Sequence, residues 1–321
     1  MKRCFLNERL KNIFLKNRDM RFIKMTGGLG NQMFIYAFYM RMKKHYSNTR
    51  IDLSDMVHYK AHNGYEMHRV FNLPPIEFRI NQPLKKVIEF LFFKKIYERK
   101  QVPSSLVPYD KKYFWPLLYF KGFYQSERFF ADMADDIRKA FTFNPRLSNK
   151  KTKEMSEQID HDENAVSIHV RRGDYLEPKY WKTTGCVCQL PYYLNAIAEM
   201  NKRISQPSYY VFSDDIAWVK ENLPLPKAFF IDWNKGAESW QDMMLMSRCR
   251  HHIICNSTFS WWGAWLNPRK NKTVIMPERW FRHCETPDIC PDKWIKVPIN
   301  QPDSIQSVSY THLRAHETSA H

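Results

Sequence analysis

Predicted strands and helices alternate along most of this chain. A short, mainly apolar segment at 21–25 precedes a glycine-rich turn at 26–30, an amphipathic stretch at 31–44 and a second short apolar segment at 50–53. Alternating short segments of this kind predict strands, and apolar positions spaced three and four apart predict a helix. The order strand, turn, helix, strand is the opening of a Rossmann-like unit.

The second half of the chain repeats this alternation more regularly. The predicted strands and helices there are, in order, 165–171, 191–202, 208–213, 216–222, 228–231, 238–249, 251–255, 259–266 and 273–276, beginning with a strand. Short apolar runs separated by helices are typical of a parallel sheet buried on both faces. The sequence therefore predicts an α/β fold in which two Rossmann-like domains face a cleft.

The region between the two halves is aromatic-rich and less regular. A predicted helix at 132–141 leads into a polar stretch at 144–162, where we place the domain boundary. The prediction is an N-terminal domain at 1–155 and a C-terminal domain at 156–300. The tail 301–321 has no apolar periodicity and looks like translated adaptor or vector sequence, so we predict that it is disordered and not native.

Composition narrows the class of protein. The 321 residues suffice for two buried cores, and 44% hydrophobic with 26% charged residues exclude a disordered chain. No run of eighteen uncharged apolar residues occurs, so neither a transmembrane span nor a signal peptide is predicted. Seven thinly spread cysteines favour a reducing, cytoplasmic location. Cys186 and Cys188 could be half of a metal site, but incidental thiols explain them better.

The net charge of +17 is concentrated in two segments. Residues 1–24 carry eight basic and two acidic side chains, and residues 79–102 carry seven and two. Residues 84–100 combine a helical apolar stripe with lysines, which suits a helix on an anionic membrane surface or an ordinary helix with solvated lysines. Peripheral contact with the inner face of the membrane is therefore one expectation. No nucleic-acid-binding motif accompanies the charge, so no nucleic acid partner is expected.

One predicted strand ends in a charged cluster. Side-chain alternation along 165–171 directs His169 and Arg171 to the same face, and Arg172 and Asp174 follow at a turn. Ligands of such sheets bind at the carboxyl ends of strands, and a guanidinium fork suits the oxygens of a diphosphate. A structural ion pair with Asp174 explains the arginines equally well, so both interpretations stay open here.

A second anion-suited position follows the predicted strand 251–255. Ser257 and Thr258 are good N-cap residues for the next helix, and a helix N-terminus binds anions through its free N–H groups. Capping without a ligand is the alternative. Because both anion-suited positions lie at strand ends of one domain, a shared anion site explains them better than chance does.

The glycine-rich turn allows another interpretation. Gly28 and Gly30 fit a dinucleotide fingerprint, and Asp52 stands near the distance expected of a ribose-binding acid, but Met33 replaces the third glycine. An NAD-type Rossmann oxidoreductase is therefore one alternative function. A non-catalytic module that binds a nucleotide or a glycan is another.

Four blocks of the sequence together resemble the signature blocks of one family. In the family's order they occupy residues 27–34, 169–174, 210–215 and 256–265. The family is glycosyltransferase family 11, the α-1,2-fucosyltransferases that use GDP-fucose, and the resemblance is to its bacterial type. The chain departs from the usual helix sequence at Ile35, where glutamine is common, and at Tyr39 and Met40, where small residues are usual. These changes bear on acceptor preference.

The resemblance implies a fold and a reaction. The fold is of the GT-B type, with the N-terminal domain on the acceptor side and the C-terminal domain binding GDP-fucose. The reaction is inverting transfer of L-fucose from GDP-fucose to a terminal galactose of a glycan, in α-1,2 linkage. That glycan would be a bacterial surface polysaccharide precursor. No cofactor is expected, because the implied reaction is independent of metal.

The candidate residues for the leaving group come from the two strand ends. Negative charge grows on the β-phosphate as the bond to the sugar breaks, and Arg171 is expected to stabilise it, assisted by Arg172. Ser257 and Thr258, with their helix N-terminus, are expected to bind the same phosphate. By resemblance, His169 is expected to contact the ribose or guanine, and Asp242 the guanine. The glycine-rich turn, with Gly28, Gly30 and Asn31, is expected to face the β-phosphate and the acceptor.

The base that takes the proton of the acceptor hydroxyl stays open. Asp174, Glu66 and Glu177 are candidates, water is another, and Asp174 could instead orient the arginines. The adjacent acids Asp214 and Asp215 follow a predicted strand. They are interpreted as helix capping or a nucleoside contact rather than as metal ligands.

Overall fold

The computed structural model describes residues 21–59, 61–74, 76, 79–80, 83, 119–283 and 286–300. Within them the chain forms two β-sheets in which every neighbouring pair of strands is parallel. The smaller sheet consists of β1 (Arg21–Lys24), β2 (Thr49–Asp52) and β3 (Tyr119–Phe120). The strand β1 lies between the other two.

The larger sheet has six strands. They are β4 (Ala165–Val170), β5 (Ser208–Ser213), β6 (Ala228–Ile231), β7 (His251–Ile253), β8 (Val274–Pro277) and β9 (Ile295–Val297). Their order is β6-β5-β4-β7-β8-β9, so the chain moves outward from β4 and then returns to the other side of it. The carboxyl ends of β4 and β7 therefore flank the topological switch point, where ligands of such sheets bind.

Helices pack against both sheets. The longer ones are α1 (Leu29–His45), α2 (Ala134–Ala140), α3 (Lys150–Asp160), α4 (Leu190–Arg203), α5 (Ile216–Asn222), α6 (Trp240–Arg248) and α7 (Thr258–Leu266). This confirms the predicted GT-B type arrangement of two parallel α/β units. Among the described residues, none of the helices has both the length and the apolar character needed to cross a bilayer.

Helix α7 packs against α1 and so connects the two α/β units. Its Trp261 and Trp262 are fully buried, and the ring of Phe34 from α1 lies 4.5 and 4.8 Å from theirs, centroid to centroid. The indole Nε1 of Trp262 also donates to the carbonyl oxygen of Gly30 over 2.9 Å. These contacts hold the N-terminus of α1 beside the N-terminus of α7.

A buried hydrogen-bond network fixes the other end of α7 to the sheet. Asn267, just after the helix, donates from Nδ2 to His252 Nε2 over 2.8 Å, and the same amide donates to the carbonyl of Cys249 over 2.9 Å. Because Nε2 is an acceptor here, Nδ1 carries the proton and donates to Ser167 Oγ over 2.8 Å. Burial lowers the pKa of His252 well below its usual value, consistent with this neutral form.

Three elements differ from the prediction. Strands β3 and β9 were not predicted, since runs of two and three residues carry too little periodicity. The polar stretch 144–162 contains α3, which buries only Thr152, Ser156 and Ile159 and so shows almost no apolar face. The predicted limit between residues 155 and 156 falls inside this helix. The segment 84–100 and the tail 301–321 lie outside the described residues, so the expectations about them stay predictions.

The acid proposed to bind a ribose has a structural role. Asp52 is buried and accepts hydrogen bonds from Ser54 N, Ser54 Oγ and Tyr119 Oη, each over 2.9 Å. It thereby ties β2 to β3 instead of facing a ligand. One of the observations favouring an NAD-type oxidoreductase therefore has another explanation.

Candidate active site

A cavity of about 820 Å³ lies between the two sheets, at the switch point of the larger one. It is lined from the N-terminal side by the start of α1 and the loop around His62, and from the C-terminal side by the strand ends and the starts of α6 and α7. The predicted site residues on its wall are Gly28, Gly30, Asn31, His169, Arg171, Asp174, Asp242, Ser257 and Thr258. Arg172 is the predicted residue that does not line it.

Arg171 and Asp174 form a two-pronged ion pair. Strand β4 ends at Val170, so Arg171 is the first residue beyond it, and its Nε and NH2 donate to the two carboxylate oxygens of Asp174 over 3.0 and 2.9 Å. Burial opposes the charge of Arg171, but the bonds to Asp174 and the nearby Tyr175 raise its pKa above the usual value. Asp174 thus orients a permanent cation on the cavity wall.

Arg172 faces away from the cavity. Its Nε donates to Asp215 over 3.1 Å, and its guanidinium carbon lies 4.1 Å from the centroid of the Trp218 ring. Asp214 accepts from the backbone N of Arg172 over 2.8 Å, and Asp215 accepts from Trp218 N as the N-cap of α5. The capping interpretation is confirmed for Asp215. The assisting role predicted for Arg172 has no direct contact with the cavity to support it.

The start of α7 forms the floor of the cavity next to Arg171. Ser257 is the N-cap, and its Oγ accepts from Phe259 N over 3.4 Å. The backbone of Gly30 approaches so closely that a Cβ there would lie 2.6 Å from Thr258 Oγ1. Asn31, in the first turn of α1, accepts from Gln125 over 2.8 Å. The starts of two helices and Arg171 therefore line the same cavity, an arrangement that suits an anion.

His169 is a neutral, buried wall residue. Its Nδ1 lies 3.1 Å from the Sγ of Cys255, and burial, followed by the charge of Arg171, lowers its pKa to about 3. The ring cannot act as a cation at physiological pH. It can exchange hydrogen bonds with a ligand through its second nitrogen.

Asp242 is an acid of the cavity wall whose pKa lies near neutrality. Burial raises its pKa to about 7, and the hydrogen bond from Asn234 Nδ2, over 2.8 Å, acts in the opposite direction. Asn234 is oriented by Asn149 and Thr152, which donate to its Oδ1 over 2.9 and 3.0 Å. The sequence drew attention to Asp242 only through the family resemblance.

Gln32 joins the glycine-rich turn to the loop opposite. This fully buried side chain of α1 donates to the carbonyls of Gly27 and Gly64 over 2.8 and 2.7 Å. Its Oε1 accepts from Glu66 N over 2.9 Å. Sequence reasoning assigned Gln32 no role, although a glutamine on the apolar side of a predicted helix was a usable signal.

The two other candidate bases have different positions. Glu66 lines the cavity and accepts a hydrogen bond from Arg69 over 2.5 Å. Burial raises the pKa of Glu66 to about 6, and the charge of Arg69 opposes that shift. Glu177 is exposed outside the cavity and pairs with Lys179 over 2.9 Å. Glu66 therefore belongs to the site, and Glu177 has no contact with it.

His62 is a cavity residue that sequence reasoning missed. It lines the wall beside Gly28, in a loop where His62, Asn63 and Gly64 all have positive φ, at 53°, 65° and 71°. A left-handed backbone is uncommon for residues other than glycine. The loop has no apolar periodicity, so nothing in the sequence pointed to His62.

Possible metal ligands are not clustered in the described part of the chain. No group of three histidine, cysteine, aspartate or glutamate side chains there has a geometry that could hold an ion. The cysteines described are free thiols, including Cys186 and Cys188.

Sequence comparison with known proteins finds glycosyltransferases among the relatives of this chain. An alpha-1,2-colitosyltransferase of Escherichia coli is 32% identical over 292 residues, which cover 85% of this chain and 97% of that protein. A galactoside alpha-(1,2)-fucosyltransferase 1 of Ateles belzebuth is 31% identical over 160 residues, covering 47% of this chain and 43% of that protein. The similarity to the first spans nearly its whole length, and to the second less than half.

Structural and family comparisons complete these findings. The solved NodZ alpha-1,6-fucosyltransferase, co-crystallized with GDP, superimposes with a TM-score of 0.46 at 13% identity, covering 81% of this chain and 95% of that one. Residues 11–297 match the family described as Glycosyl transferase family 11. With this match across most of the chain and a full-length relative at 32% identity, the protein belongs to glycosyltransferase family 11.

Proposed function

We propose that this glycosyltransferase transfers L-fucose from GDP-fucose to a terminal galactose of a glycan, forming an α-1,2 linkage with inversion at the sugar carbon. The observation that carries the proposal is the convergence of Arg171 and the N-terminus of α7 on one cavity at the sheet's switch point. The α-1,2 specificity named for the relatives supports the linkage. A relative named for O-antigen biosynthesis supports a bacterial surface glycan as the acceptor.

In this proposal the protein acts mainly on the leaving group. As the bond between the sugar and the β-phosphate breaks, positive charge grows on the sugar ring and negative charge on the phosphate. Arg171, held by Asp174, and the free N–H groups at the start of α7 stabilise that negative charge. Because these groups are fixed before the reaction, little reorganisation is needed as the charge develops.

Colitose is a second candidate donor sugar, favoured by the full-length relative. It is L-fucose without the 3-hydroxyl group, so both sugars could occupy one pocket. The deciding experiment offers GDP-fucose and GDP-colitose separately with a series of galactosides and follows released GDP and product mass. Fucosyl product supports the first proposal and colitosyl product the second. GDP binding without transfer of either sugar would instead favour a non-catalytic binding module.

We also propose that no metal ion is needed for transfer. A divalent ion usually neutralises the diphosphate, and here Arg171 and the start of α7 supply positive charge at that place. Dialysis against EDTA is therefore expected to leave the initial rate essentially unchanged. Loss of activity that Mg²⁺ or Mn²⁺ restores would contradict this and would draw Asp214, on the cavity wall, into the metal site.

Asp242 gives the proposal a pH dependence. A carboxylate can accept hydrogen bonds from the N–H groups of guanine, and protonation removes that capacity. Since the pKa of Asp242 is raised to about 7, the accepting form is lost as the pH falls through 7. GDP affinity, measured by calorimetry, is expected to be about tenfold weaker at pH 6 than at pH 8.

Two variants separate Asp242 from other sources of that pH dependence. Asp242→Asn should bind GDP more weakly at pH 8 and should lose most of the change between pH 8 and pH 6. Asp232→Asn removes another carboxyl of the same cavity wall and should keep the change. If Asp242→Asn keeps it as well, Asp242 does not contact the guanine.

A further inference from the structure

His62 lines the same cavity as the Arg171–Asp174 pair. It belongs to the N-terminal side, on the loop that Gln32 holds against the glycine-rich turn through Gly64. Its imidazole is near enough to Arg171 and Asp174 for the charges of both to act on it. His62 therefore lies on the same cavity as the residues proposed to bind the leaving group.

Four of the five acids on the cavity wall, all except Asp232, are already engaged, whereas His62 is not. Both oxygens of Asp174 accept from Arg171, Glu66 pairs with Arg69, Asp242 accepts from Asn234, and Asp214 accepts from the backbone of Arg172. Within the described residues, neither ring nitrogen of His62 has a hydrogen-bond partner. The side chain is exposed and lies beside Gly28, and its ring is 6.4 Å from that of Tyr59, centroid to centroid.

We propose that His62 is the catalytic base that accepts the proton of the acceptor hydroxyl group. This rests on the proposed glycosyl transfer. The acceptor oxygen forms its bond to the anomeric carbon while the bond from that carbon to the β-phosphate oxygen breaks, and the electron pair leaves with GDP. The acceptor proton passes to the free imidazole nitrogen and then to solvent.

The surroundings of His62 favour its neutral form, which is the form that can accept a proton. Partial burial, followed by the charge of Arg171, lowers its pKa below the usual 6.5, and the charge of Asp174 opposes that shift. The ring is therefore neutral near pH 7 and can accept a proton. Asp174 can then stabilise the imidazolium that forms, since its charge favours the protonated ring. Below the pKa of His62 the base is lost, so kcat is expected to fall on the acid side.

The backbone of His62 determines which variants test the proposal. Asparagine and glycine tolerate a left-handed conformation, so His62→Asn and His62→Gly remove the base without adding strain. His62→Asn is expected to lower kcat a hundredfold or more, the usual range for a lost general base, with GDP affinity unchanged. In His62→Gly, added imidazole should restore turnover in proportion to its concentration, because the space left by the side chain admits a small base.

The controls distinguish an error in the assignment of His62 as base from an error in the proposed glycosyl transfer. His161→Asn removes an exposed histidine outside the cavity and should transfer sugar at the wild-type rate, with no response to imidazole. If the wild type transfers sugar and His62→Asn stays within threefold of its kcat, the base assignment is overturned while the proposed function stands. A large loss that imidazole does not rescue in His62→Gly also overturns it, since a structural role gives that result. If the wild type transfers no sugar from either GDP donor, the proposed function fails first.

Discussion

Replacing Arg171 with lysine is expected to lower kcat about a hundredfold, which corresponds to roughly 3 kcal/mol of transition-state stabilisation. Lysine keeps the positive charge but carries its donors on a single nitrogen, so it cannot reproduce the two parallel bonds from Nε and NH2 to Asp174 with a third nitrogen directed at the phosphate. The loss should fall mainly on kcat, because the interaction strengthens as the β-phosphate gains charge. GDP affinity should change only a few-fold.

The neighbouring arginine is the matched control for this experiment. Arg172→Lys makes the same change one residue further along, on a side chain that points to Asp215 and Trp218 instead of the cavity. Its effect on kcat should be much the smaller of the two. Circular dichroism checks that both variants fold. If Arg171→Lys keeps a near wild-type kcat, Arg171 serves only as the structural partner of Asp174. If Arg172→Lys instead lowers kcat strongly, the phosphate role belongs to Arg172.

The contrast between these two arginines shows where sequence reasoning stops. Alternation along a buried strand correctly placed His169 and Arg171 on one wall, because the pleat fixes the direction of each side chain there. Arg171, the first residue after the strand, still follows this alternation, but the pattern gives no direction from Arg172 onward. Arg172 therefore looked equivalent to Arg171 in the sequence, whereas Asp214 and Asp215 hold it on the other side.

The same limit explains which parts of the site were missed. The strand ends and the start of α7 were predictable, since apolar runs define β4 and β7 and polar N-cap residues mark the helix. His62 was not, because it reaches the cavity through a left-handed loop held by a bond from Gln32 that spans 32 residues of chain. The residues missed were thus those positioned by tertiary contacts rather than by local periodicity.

Gly30 is the place where the two halves of the site approach most closely. It lies in the first turn of α1, a position where alanine would normally stabilise a helix by up to about 1 kcal/mol relative to glycine. A Cβ there would lie 2.7 and 2.8 Å from the backbone carbon and oxygen of Thr258. The gain in helix propensity is therefore opposed by a collision with backbone atoms that cannot rotate away.

Gly30→Ala is accordingly expected to lower the free energy of unfolding by about 2 kcal/mol and to weaken GDP binding, because relief of the collision must separate α1 from α7. That movement also lengthens the 2.9 Å bond from Trp262 to the Gly30 carbonyl and shifts the start of α7 relative to Arg171. Urea unfolding and GDP calorimetry measure the two effects. Trp262→Phe removes the indole donor together with part of a buried ring, so it should cost more than the roughly 1 kcal/mol of the hydrogen bond alone. Adding Thr258→Ala to Gly30→Ala should not restore stability, since two of the three closest atoms belong to the Thr258 backbone. Full recovery of stability in that double variant would show that only the Thr258 hydroxyl group collides with the added methyl group.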